Sequence, residues 1–129
     1  LYYGDWRNQG LPFYGAALTY VIPCECGDSG LTVETDQYEG ALVGVKLDGK
    51  DVGRIVYAPY ILHIDAPAGA HTLELTVFGS RVNSFGALHN CNDALGCVGP
   101  NAWESRGKQF CYEYRTRPIG LLTAPRLFK

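Results

Sequence analysis

The chain has 129 residues, 47% hydrophobic and 19% charged, with 16 Gly, 7 Pro and a formal net charge of −2. That length fits one domain, and that profile excludes a disordered tail and a collagen-like repeat. The near-neutral balance excludes a broad nucleic-acid surface, and no apolar run approaches the roughly 20 residues a spanning helix needs. Nucleic acid and membrane are therefore not expected partners.

Short β-segments separated by turns run through the chain. Phe13 to Ile22 is rich in aromatic and β-branched residues and is expected to stop at Pro23, before the turn cluster Gly27-Asp28-Ser29-Gly30. Leu31 to Thr35 follows. Ala41, Val43, Val45 and Leu47 then form an alternating apolar row that ends at Asp48-Gly49, a hairpin turn in which Gly accepts a positive φ. Val52 to Tyr57 returns antiparallel, and Tyr60 to Ile64 is another short strand. His71 to Phe78 alternates, with Leu73, Leu75 and Val77 inward. Residues 79 to 108 lack periodicity, and a loop of that length is usually functional or carries short structure of its own. Phe110 to Arg115 and Leu121 to Leu127 read as closing strands. About eight strands predict an all-β fold, an antiparallel sandwich or barrel with one long loop.

Charge is uneven. Residues 100 to 129 carry six bases and two acids, which leaves −6 on residues 1 to 99. Methionine is absent, and no charged-then-apolar leader opens the sequence, so the expectation is one domain over 1–129 excised from a larger protein. The odd set Cys24, Cys26, Cys91, Cys97 and Cys111 fits reduced thiols and tilts the expected compartment towards the cytoplasm.

Several stretches resemble a known family. Trp6 to Gly15 with Leu18-Thr19-Tyr20, the hairpin Val45-Lys46-Leu47-Asp48-Gly49-Lys50-Asp51-Val52-Gly53, and Gly69 to Val77 resemble galactose-binding-like β-sandwich domains attached to glycoside hydrolases. Phe78 to Asn90, with Val98-Gly99-Pro100 and Pro118-Ile119-Gly120-Leu121, is similar to the C-terminal sandwich of large bacterial glycosidase-like proteins. The insert Cys91 to Cys97 departs from that pattern. The resemblance implies a jelly-roll sandwich accompanying a catalytic domain, which is then its partner. Carbohydrate is a second implied partner, since some such modules bind glycan while others only support the catalytic barrel.

Sugar recognition needs aromatic faces and planar polar groups. Trp103, in the irregular region, is the expected stacking platform, and Tyr112 and Tyr114 are expected to share one face of a strand, as a stacking surface or as plain core. Arg81, Asn83, His89 and Asn90 stand at the start of the long loop. Their planar side chains either hold sugar hydroxyls or tie down the loop's own backbone. His89, Cys91 and Cys97 match zinc spacing only loosely, a Cys91–Cys97 disulfide stays open, and free thiols are the expectation. No cofactor is expected, with structural calcium left open and no ligands assigned to it. No catalytic residues are expected either: Glu25, Asp28, Glu34, Asp36 and Glu39 read as solvated edges and turns, and nucleophile-elbow, zinc-protease and P-loop motifs are absent. The functional expectation is a non-catalytic, carbohydrate-associated module of a glycoside hydrolase. Its alternative is a domain-packing module without sugar affinity.

Overall fold

A computed structural model describes residues 1–92 and 99–129. Its strands are β1 (Ala17–Cys26), β2 (Leu31–Glu34), β3 (Tyr38–Glu39), β4 (Leu42–Leu47), β5 (Lys50–Ile55), β6 (Ile61–Ile64), β7 (Gly69–Phe78), β8 (Gly120–Leu121) and β9 (Arg126–Phe128). One sheet has the order β1-β7-β4-β5, a second the order β6-β2-β9, and β3 and β8 form a two-stranded ribbon, all antiparallel. Among the described residues, helix is confined to α1 (Val82–Phe85) and to 3-10 turns at Trp6–Gln9 and Pro100–Ala102. The expected all-β sandwich is the observed fold.

Alternation builds the core. Leu73, Leu75 and Val77 of β7 are buried with Val43, Val45 and Leu47 of β4, and they pack with Leu31, Val33 and Ile64 from the other sheet. Each such aliphatic contributes roughly 1.5–3 kcal/mol by leaving water. The β4–β5 turn is the expected one: Asp48 and Gly49 both have positive φ, at 49° and 77°. Asp48 and Thr72 reinforce it, because Asp48 Oδ1 accepts from the Thr72 N–H at 2.8 Å.

The sequence reading needs correction at four places. β1 begins at Ala17, after an irregular stretch, and runs through Pro23 to Cys26 rather than stopping there. It is an edge strand, where a residue without an N–H is tolerated. Trp6 to Gln9, within the stretch resembling a first strand, is a 3-10 turn capped by Asp5, whose carboxylate accepts from the Arg7 N–H. Phe110 to Arg115 is not a strand; only Phe110 bridges, to Asn90. Leu121 to Leu127 is split between β8 and β9 by a turn.

Trp6 plugs the sandwich. It is fully buried, and its Nε1 donates to Tyr20 Oη at 2.6 Å. Gly120 packs so tightly on this indole that an added Cβ would stand 2.3 Å from Trp6 Nε1. The backbone N–H groups of Gly4 and Trp6 donate to the carbonyls of Leu121 and Ile119, which ties the amino-terminal segment to the carboxy-terminal one.

Candidate functional site

The described residues of the long excursion between β7 and β8 are held by hydrogen bonds rather than by strands. The Cys91 N–H donates to Gln109, the Cys111 N–H to His89 and the Arg115 N–H to Leu88, so residues 88–91 and 109–115 lie side by side. Buried Asn90 fastens the top, with Nδ2 donating to the Ala102 carbonyl at 2.9 Å and Oδ1 accepting from the Asn92 N–H. Fully buried Asn83 fastens the base. Its Nδ2 donates to the Arg117 carbonyl at 2.7 Å while its Oδ1 accepts from the Arg117 N–H at 2.8 Å.

On this frame sits a ledge of exposed and half-buried rings. Phe13, Tyr114, His89, Phe110 and Tyr112 follow one another with centroid spacings of 4.9, 4.7, 5.7 and 5.0 Å. Tyr112 is 85% exposed and Tyr114 58%. His89 is oriented by its Nδ1, which donates to the Cys111 carbonyl at 2.9 Å. A second group joins through α1. Ser84 Oγ donates to the Phe13 carbonyl at 2.6 Å, and Trp103 Nε1 donates to the Phe85 carbonyl at 3.1 Å. Trp103 is 55% exposed, and the Arg81 guanidinium stands 5.9 Å from the centroid of the exposed Phe85 ring. This cation–π contact holds the only long cationic side chain of the expected set against the ledge.

The structure thus brings Arg81, His89, Trp103, Tyr112 and Tyr114 to one region. It does not place Asn83 on that surface: with no exposed area and both ends of its amide engaged, Asn83 supports the backbone from beneath. Tyr112 and Tyr114 share the ledge through ring contacts, although the strand expected to carry them is absent. The sequence reading missed Phe85 and Phe13. The Ser84-Phe85-Gly86 turn within a polar, aperiodic stretch was the available signal for the first.

Metal and thiol expectations fall as follows. Among the described residues, no three His, Cys, Asp or Glu side chains gather as donors. Cys24, Cys26, Cys91 and Cys111 are free thiols, and the expected Cys91–Cys97 closure falls on Cys97, outside the described residues. Burial first, then the charges of Cys26 and Asp48, push the Cys24 thiol up. The acids are mostly engaged at the surface: Glu25 with Lys129, Glu34 and Asp36 with Arg126, Asp48 with His71. Asp28 and Asp65 share an open depression with Ser29 and Pro67 and meet no enclosing aromatic wall there.

No family model matches the chain, and no curated protein matches it. Among solved structures it is similar to the rhamnosidase from Novosphingobium sp. PP1Y, with a TM-score of 0.59 and 24% identity. The similarity covers 89% of this chain and 11% of that one. The chain therefore spans about a tenth of the length of the solved structure it matches, and the likeness establishes a shared sandwich fold.

Proposed function

We propose that the chain is an accessory, non-catalytic module of a glycoside hydrolase, of the galactose-binding-like jelly-roll type, and that it holds glycan on the ledge. The observation that carries this reading is the row of contacting rings ending in exposed Tyr112, with exposed Trp103 on the same hydrogen-bonded frame. The exposed rings of Trp103, Tyr112 and Tyr114 offer separate apolar faces to the C–H faces of sugars, and Arg81 supplies donors for hydroxyls. The likeness to one portion of a rhamnosidase supports the glycosidase context. That Glu25, Glu34, Asp36 and Asp48 are taken up in surface pairs supports a role without chemistry.

The exposed Phe85 and Phe13 also suit the second reading, in which the ledge packs on the neighbouring catalytic domain without sugar affinity. Titration calorimetry with neutral mono- and oligosaccharides separates the two. Glycan binding predicts affinity that rises with chain length and falls at least tenfold in Trp103→Ala and in Tyr112→Ala. An absence of heat at millimolar oligosaccharide leaves the packing role and refutes glycan binding.

A further inference from the structure

A cleft separate from the ledge lies between β3 and the segment leading into β8. It is an open cleft of about 220 Å3 lined by Glu39, Gly40, Ala41, Val82, Pro118 and Arg117, among others. Its walls are set by the fold. Gly40 allows the chain to lie against the end of β7, where a Cβ would come within 2.7 Å of the Phe78 carbonyl oxygen. The opposite wall is pinned from three directions: Arg7 Nη1 donates to the Thr116 carbonyl at 2.7 Å, Asn83 grips both backbone groups of Arg117, and the Trp6 N–H donates to the Ile119 carbonyl. A segment without secondary structure is thereby held rigid, with the Arg117 side chain left exposed.

Glu39 and Arg117, of opposite charge, both line this cleft, and among the described residues neither makes an ion pair. A carboxylate only accepts hydrogen bonds and a guanidinium only donates them. A hydroxyl does both, so a vicinal diol can donate to Glu39 and accept from Arg117 at the same time. With one charge of each sign, the cleft has no net charge to favour an anion or a cation. Ala41, Val82 and Pro118 give a wall suited to the C–H face of a ring. The volume lies below the roughly 300–1,000 Å3 of pockets for drug-sized ligands, which restricts the occupant to one ring.

We infer that this cleft is a second subsite, taking a single neutral sugar residue with Glu39 and Arg117 on adjacent hydroxyls. The inference rests on the carbohydrate reading above for its ligand class, and on different residues for its site. The test is amide NMR of the 129-residue chain titrated with methyl glycosides of neutral hexoses and deoxyhexoses, and with a matching uronate. Saturable shifts are expected at Gly40, Ala41 and Ser80, with affinity at least tenfold weaker in Glu39→Gln and in Arg117→Met, and unchanged in Trp103→Ala. Both variants should fold, since Asn83 binds only the main chain of Arg117. The cleft is refuted if no saturable shift appears at those amides at millimolar glycoside, or if both variants bind like the wild type. Tighter binding of the uronate would overturn the neutral ligand class. Shifts confined to the ledge and abolished in Trp103→Ala would refute the cleft while sustaining the proposed function.

Discussion

Replacing Asn83 by Ala removes the joint between α1 and residue 117. Two hydrogen bonds of 2.7 and 2.8 Å are lost, and the N–H and carbonyl of Arg117 lose their partners on the side that faces fully buried Asn83. A hydrogen bond contributes about 1 kcal/mol net, and each buried group left unpaired costs about 1–3 kcal/mol. Water entering the vacated space would offset part of this, so a net loss of about 2–4 kcal/mol is expected. For a chain of this size each kcal/mol lowers Tm by roughly 3–6 °C. Urea denaturation at fixed pH reads the change as a lower midpoint with an unchanged slope. Asn83→Asp should cost at least as much, because it sets a carboxylate oxygen against the Arg117 carbonyl. Arg117→Ala keeps both main-chain bonds and should stay within about 0.5 kcal/mol of wild type. A loss under about 1 kcal/mol for Asn83→Ala, or an equal loss for Arg117→Ala, would refute the assignment of the clamp to the Asn83 amide.

Gly120→Ala is expected to destabilise more severely than an exposed substitution, by at least about 3 kcal/mol, since residue 120 has φ 114° and its new methyl would press on Trp6. A near-native Tm for that variant would contradict the packing described. His71 places Nδ1 2.7 Å from Asp48 Oδ2 and Nε2 2.9 Å from the Pro67 carbonyl, and two acceptors can be served together only by the protonated ring. The bonds to Asp48 and then Pro67 raise the His71 pKa, while the bond from His71 and then that from Thr72 lower that of Asp48. The His71 contribution is therefore full below its ordinary 6.5 and is lost as pH rises through the raised value. That of Asp48 is full above its ordinary 3.8 and is lost as pH falls through the lowered value. Wild type should exceed His71→Asn in stability most between these two values, and a difference independent of pH from 4 to 9 would contradict the pairing.

Legibility in the sequence followed locality. The β4–β5 hairpin and the inward row of β7 could be read because Asp48-Gly49 and Leu73, Leu75, Val77 obey short-range rules. β1 could not, since whether Pro23 ends a strand depends on its lying at a sheet edge, which pairing alone decides. The β3–β8 ribbon joins two residues to two across some eighty positions and leaves no local pattern. Phe110 to Arg115 looked like a strand because aromatic residues alternate there, yet they line a ledge instead of a sheet. The exposure of Trp103 could be expected from its irregular, Gly- and Pro-flanked setting. The role of Asn83 as a support could not be separated from ligand contact without knowing that Arg117, 34 positions away, lies against it.

The two tryptophans allow the most direct test of glycan binding on the ledge, because Trp6 is wholly buried and Trp103 is half exposed. Acrylamide quenching of intrinsic fluorescence therefore reports on Trp103 alone. Neutral oligosaccharide should protect that emission saturably and leave the unquenched Trp6 signal constant, and Trp103→Phe should abolish the effect. Unchanged quenching at saturating oligosaccharide, or protection that persists in Trp103→Phe, would contradict the account.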